Sequence, residues 1–343
     1  MPYKPKNLAD SSFFAIFASK HRYMTEIAIS RYEAEKKDIW DNFVADSRNA
    51  TFLLRRDYMD YHSDRFRDES MMFHDAATGR LLALLPACVA DGGETLDSHG
   101  GLTYGGLVLP FDSHTDATAV LSIFDALRGH ARRQGFRRIR YKAIPHIYHR
   151  YPAEEDIYAL FRSGARMTAC GISSTISLDC PITFNENSRR NTRRAVKAGI
   201  SVAESSDIAA FHHILAGVLS ERYSTVPVHS VAELELLKGR FPDNIRLFMA
   251  YDRTGYPLAG SMLFITDTCV HAQYIAASHE GRQTGALPLL FSFIFDNICP
   301  GRRWFDFGIS TEHGGSYLNE GLMHQKNSMG GRGTVYTVFT LDI

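Results

Sequence analysis

The 343-residue chain carries no net charge, because 38 lysines and arginines meet 38 aspartates and glutamates. No global field therefore favours nucleic acid, although a local basic patch can still do so. Long apolar runs are also missing, and none approaches the roughly 20 residues of a membrane span. The first 20 residues, MPYKPKNLADSSFFAIFASK, hold a short apolar stretch without the organisation or cleavage region of a signal peptide. A cytoplasmic protein is expected, with peripheral membrane contact left open for a lipid-linked substrate. Cysteine is sparse and scattered: Cys88, Cys170, Cys180, Cys269 and Cys299 form no closely spaced pair. Reduced thiols are the expectation, and a cysteine metal site is disfavoured. The same residues lack a nucleophile elbow or an adjacent base, which counts against an acyl-enzyme. His62, His74, His99, His146, His149 and His313 make neither an H-E-x-x-H pattern nor a cysteine–histidine cluster. His146 and His149 could meet on a helix, but two ligands do not make a metal site.

What is present is ordinary globular composition, 45% apolar and 22% charged. The length suits two domains of roughly 150 residues. One local arrangement occurs twice. In the first half, SHGGLTYGGLVLP at 98–110 precedes a helical pattern over 117–133, with Ala117, Val120, Leu121, Phe124, Leu127 and Ala131 on one face. Gly135 stops it and 137–143 alternates as a strand. In the second half, YIAASHEGRQTGA at 274–286 leads into a helix reaching about Ile298, with Leu287, Leu290, Phe291, Ile294 and Ile298 apolar; Pro300 and Gly301 end it before a strand at 303–307. The two helices lie roughly half a chain apart, which suggests a duplication. Further strands are expected at 51–54, 70–74, 80–89, 245–251, 257–265 and 269–276, with hairpin turns at 76–79 and 252–255. Asp207 can cap a helix through Ile208, Phe211, Leu215 and Val218. A polar, turn-like stretch at 180–187 sets the boundary, giving domains 1–182 and 183–343 of a mixed-sheet α/β fold.

The pattern of meander, central helix and following strand resembles the GNAT acetyltransferase superfamily, here present twice. The whole chain, over about 35–341, looks like the tandem-domain proteins related to the Fem family of aminoacyltransferases. The carrying segments are Trp40 to Phe43, SHGGLTYGG at 98–106, FDFG at 305–308, LNEGL at 318–322 and Lys326. The resemblance implies direct transfer of an acyl group to an amine in a ternary complex. It also implies a pyrophosphate-binding turn of the form Gln/Arg-x-x-Gly-x-Gly/Ala. Arg282, Gly285 and Ala286 fall on that turn, with Leu287 replacing its final small residue. A helix start offers unpaired N–H groups, and a guanidinium beside it receives phosphate oxygens. The expected donor is acyl-CoA and the expected acceptor an amine, such as an amino sugar or another cell-envelope precursor. A Fem-like aminoacyl-tRNA donor is the alternative, and a catalytically silent binding protein a third possibility.

Candidate site residues cluster late in the chain. An attacking amine must be neutral and lose a proton, and the carbonyl oxygen needs a positive dipole. Glu312 and His313 are candidate proton acceptors on a glycine-rich turn. His271 and Tyr274 lie in a strand, where alternation puts His271 with Gln273 and Tyr274 opposite. Tyr317, Asn319 and Lys326 are candidate substrate contacts, with a short helix beginning near Ser316. In the first half, His99 and Tyr104 sit among Gly100, Gly101, Gly105 and Gly106, which could bend around a substrate or support packing. Arg189, Arg193 and Lys197 share one face of a basic helix, with Arg190 and Arg194 alongside, suited to solvent or to phosphates. The second half is expected to bind donor and run the reaction, and the first half to recognise acceptor.

Overall fold

A computed structural model describes residues 26–223 and 225–343. The short apolar stretch near the N-terminus lies outside them. Ten strands form one mixed sheet, in the spatial order Cys88–Ala90, Thr95–Asp97, Arg138–Lys142, Arg332–Asp342, Arg166–Ser177, Trp304–Ile309, Cys269–Ala277, Pro257–Ile265, Ile245–Tyr251 and Ser201–Ser205. A separate three-stranded meander comprises Ile27–Arg31, Met71–Asp75 and Leu81–Leu85.

The periodic helices form where their apolar faces predict. Ala117–Arg133 is capped by the Asp116 carboxylate on the Ala119 N–H and buries Val120, Phe124, Leu127 and Ala131. Ile208–Tyr223 and Ala286–Asn297 likewise match. The segment at 51–54 is a 3-10 turn instead of a strand, because the Thr51 hydroxyl accepts from Leu53 N–H and starts a helical turn. The long strand expected over 80–89 breaks at Pro86 into 81–85 and 88–90, since proline offers no ladder N–H. The helix expected from Ser316 begins later, at Glu320, with Asn319 as its cap; Tyr317–Leu318 pairs with Thr311–Glu312 as a small hairpin.

The sheet does not respect the linker between the halves. The 332–342 strand, last in sequence, pairs with 138–142 on one side and 166–177 on the other. The 166–177 strand then pairs with 304–309. Each half keeps its own core, one around Phe124 and Tyr141 and one around Phe291 and Phe305. A third core joins them, with Trp40, Leu53, Tyr104 and Tyr148 packed with Phe211, Leu234, Met262 and Phe264. Among these, Phe52 and Tyr58 meet Phe264 at ring-centroid distances of 5.7 and 6.1 Å, edge-on geometry that adds to area burial.

Candidate active site

The 269–277 and 304–309 strands run parallel for only three residue pairs, ending at His271 and Asp306. Beyond that pair the 304–309 strand stays with 166–177, and the two splay apart. At the same level the 269–277 strand bulges: Ala272 faces Leu263 and Tyr274 faces Met262, leaving Gln273 without a partner on the neighbouring strand. The bulge overturns the expected alternation. His271 pairs with Phe264 and Tyr274 with Met262, and those partners are two residues apart, so His271 and Tyr274 share one face. That face carries the core joining the two halves.

Asp306 is fully buried and collects donors from both halves. One carboxylate oxygen accepts from the Ser173 and Thr175 hydroxyls. The other accepts from Tyr336 OH at 2.8 Å and lies 2.8 Å from His271 Nδ1. Burial alone would raise this carboxyl, but the His271 contact and the hydroxyl donors outweigh it and hold its pKa below the usual value. An ionised Asp306 can only accept, so His271 Nδ1 carries a proton and Nε2 is left as the basic nitrogen. Tyr336 OH is also 2.7 Å from Tyr148 OH; since Tyr336 donates to Asp306, Tyr148 donates to Tyr336. His271 lines a narrow crevice with Leu53, Thr103, Tyr104, Tyr148, Phe264 and Thr266. The crevice has no room for a water molecule as it stands.

Tyr274 belongs to a neighbouring polar chain. Its OH lies 2.5 Å from His229 Nδ1, and His229 Nε2 lies 2.8 Å from Tyr61 OH. Burial holds His229 down at about 4 and Tyr274 up at about 12, so both stay neutral near pH 7. His99 stacks on His62 with centroids 5.3 Å apart, and burial pushes it down to about 3. Its backbone has φ +70°, an uncommon torsion for a non-glycine residue. Tyr104 OH is 2.8 Å from Thr51 Oγ1.

The 98–106 loop fills the corresponding splay of the first half. There the parallel pairing of 95–97 with 138–142 ends at Asp97 and Arg140. Ser98 Oγ then accepts from Lys142 N–H at 2.7 Å, and Gly105 N–H donates to Lys142 O at 3.0 Å. A Cβ on Gly105 would stand 1.9 Å from Ser98 O, so the loop closes over itself only with glycine there. Lys142 Nζ donates to the carbonyls of His99, Gly100 and Leu102.

Lys326 marks the open splay of the second half. It is buried, and its Nζ donates to Gly308 O and Ile309 O, each at 2.8 Å. Burial lowers its pKa to about 8, with Asp306 pulling the other way. Because the unfolded value is about 10.4, stability from this group is lost as pH falls through 8 and restored as pH rises toward 10.4. Relative to Lys326→Met, the wild type should gain roughly 3 kcal/mol between those pH values. Urea denaturation of both proteins across that range checks it; parallel curves would reject the depressed ammonium.

At the expected phosphate turn the arginine is engaged by the protein itself. Arg282 lies in a short helix, His279–Thr284, and its guanidinium donates to Ala277 O at 2.8 Å. Gly285 has φ +83°, and a Cβ there would stand 2.5 Å from Asn191 O on the basic helix. Ala286 is buried at the start of the following helix. Glu312 accepts from Asn319 Nδ2 at 3.3 Å in the 311–318 hairpin, where His313 and Tyr317 are exposed. No hydrogen bond among the described residues joins Glu312 or His313 to Asp306. The residues that sequence reasoning left out are therefore Asp306, Tyr148, Tyr336, Ser173, Thr175 and His229. Asp306 had one legible signal, a carboxylate inside the aromatic strand WFDFG.

A family model for the acetyltransferase (GNAT) domain matches residues 184–316. No curated protein matches the sequence significantly. Solved structures do match in fold. FemX is 13% identical with a TM-score of 0.65, over 92% of this chain and 97% of its own. L-PGS from Bacillus licheniformis is 14% identical with a TM-score of 0.58, over 90% and 92%. A tandem GNAT protein from the clavulanic acid biosynthesis pathway is 13% identical with a TM-score of 0.51, over 92% and 98%. No helix among the described residues is long and apolar enough to cross a membrane. The chain thus has a mixed α/β fold of tandem GNAT-like domains, the fold it shares with FemX and the tandem GNAT protein, and its residues 184–316 match the GNAT domain.

Proposed function

We propose that this protein transfers an acyl group to an amine of a cell-envelope precursor, and that its donor is an aminoacyl ester on tRNA. The carrying observation is the His271–Asp306 pair, set where two parallel strands splay and facing the crevice between the halves. In this reading the neutral imidazole takes the proton from the attacking amine through Nε2, and Asp306 stabilises the imidazolium that forms. Backbone amides freed by the bulge at Gln273 hold the carbonyl oxygen as negative charge develops. Lys326 fixes the Gly308 and Ile309 carbonyls behind them and is a positioning residue. The first half, its own splay filled by 98–106, contributes Tyr104 and Tyr148 to the acceptor side.

The choice of donor rests on the phosphate turn. The Arg282 guanidinium, which the phosphate motif would turn toward a CoA pyrophosphate, donates to Ala277 O instead, and the basic helix packs so closely on Gly285 that a side chain there would meet Asn191 O. The fold likeness to FemX points the same way. Arg190 and Arg194 are exposed on the basic helix, where they can meet tRNA phosphates. Filter retention of aminoacyl-tRNA should therefore fall with salt, and Arg190→Ala with Arg194→Ala should reduce the logarithmic slope by about 2. Product detection by mass spectrometry, with amino sugars and lysine-containing wall peptides as acceptors, tests transfer. Turnover of an acyl-CoA panel without tRNA retention would overturn the donor and leave the acyl-transfer reading standing.

A further inference from the structure

A cleft of about 860 Å³ opens beside the start of the 304–309 strand, at the end remote from Gly308. It lies between the basic helix Glu186–Lys197, the latter part of Ala286–Asn297 and the linker joining the halves. Small-molecule sites span roughly 300–1,000 Å³, so the size suits a bound molecule. None of its lining residues belongs to the Asp306 network, and acyl transfer as read above leaves it unused.

Its walls have two chemistries. Phe184, Phe295 and Met329 supply apolar surface, and Ile182 at the mouth is 48% exposed. Arg189, Arg193, Arg302 and Arg303 supply four guanidiniums against the carboxylates of Asp179 and Asp296. Arg189 and Arg193 stand one helical turn apart and share a single acceptor, Glu186, at 2.9 and 2.7 Å. One carboxylate cannot engage all their donors. Arg302 Nε is buried and has no hydrogen-bond partner among the described residues. A buried donor without an acceptor is unfavourable, and an anion at the cleft wall would offset the unmatched charge of this guanidinium.

We propose that this cleft binds an amphipathic anion, with a phosphate head held by Arg189, Arg193 and Arg302 and a hydrocarbon chain lying on Phe184, Phe295 and Met329. A purely polar anion would leave the apolar walls wet, and a neutral amphiphile would leave Arg302 and the surplus donors of Arg189 and Arg193 unmatched. Guanidinium geometry matches phosphate oxygens in pairs, which favours a phosphate over a simple dipole.

The probe is monododecyl phosphate below its micellar concentration, titrated by calorimetry into the full chain. One saturable site per chain is expected, with inorganic phosphate and neutral dodecyl maltoside each binding at least about tenfold more weakly. Arg193→Ala combined with Arg302→Ala should weaken the probe by about tenfold or more. Ile182→Asp should weaken it as well, and thermal melts establish that both variants are folded. Equal affinity for dodecyl maltoside, an unchanged affinity in the arginine variant, or no saturable heat would overturn the proposal. Flotation with phosphatidic acid vesicles separates the sources: arginine-dependent flotation identifies a bilayer lipid, and binding confined to solution identifies a detached amphiphile. The assay reads binding and not transfer, so its result stands apart from the acyl-transfer reading.

Discussion

His271→Ala is expected to lower the rate of acyl transfer by about two to four orders of magnitude, the usual worth of a positioned general base. Retention of donor on filters should not change, because the imidazole is placed to act on the acceptor's proton. His271→Gln keeps a polar group facing Asp306 and should be equally slow if proton transfer is the role. Glu312→Gln serves as the counterpart. Its carboxylate meets Asn319 in a surface hairpin, so the variant should retain transfer within about twofold. The reverse outcome, a slow Glu312→Gln and a normal His271→Ala, would move the base to the hairpin.

Asp306→Asn is expected to cost about 3 kcal/mol or more of unfolding free energy, independent of any substrate. The carboxylate is fully buried and serves Ser173, Thr175, Tyr336 and His271 at once. An amide of similar size puts an NH₂ against groups that already donate, which leaves buried donors facing each other. For a domain with roughly 5–15 kcal/mol in total, that loss is large. The wild-type carboxyl is held below its ordinary value, so its contribution is present above about pH 4 and is lost as pH falls through the folded value. The denaturation midpoints of the two proteins should therefore differ at pH 7 and converge in acid. A difference that persists undiminished in acid would show that the charge is not what Asp306 contributes. Ser173→Ala should give a smaller loss of about 1 kcal/mol by removing one of the donors.

What could be read from the sequence was local. The helix at 117–133 carries its own period and its own cap, and the turns at 76–79 and 252–255 fit their hairpins. The pairing of 332–342 with 138–142 was illegible, because nothing in either segment names a partner so distant in sequence. The site divides in the same way. His271 and Lys326 stood out as polar residues beside apolar runs, and both prove buried. The groups around Asp306 did not stand out, since Ser173 and Tyr336 meet it only through sheet order and Tyr148 reaches it from the distant 3-10 turn at 146–148. The bulge at Gln273 reversed a face because one extra residue shifts every later side chain. Arg282 fitted a motif whose geometry the chain then used for the Ala277 carbonyl.

The placement of the 332–342 strand has a bearing on biosynthesis. The first half emerges from the ribosome with its 138–142 and 166–177 strands both made, yet the strand that belongs between them is still to be translated. Until the second half arrives, three strand edges lie bare, one on 138–142 and both on 166–177, each a template for wrong pairing with another chain. Domains generally fold as units in order of synthesis, but here the first cannot finish before the second has been made. Sheet closure is thus a late, sequence-distant event, with the slow kinetics that such contacts bring. Expressed alone, residues 1–182 would keep those edges permanently and would tend to aggregate, so the two halves are a single folding unit despite their separate cores.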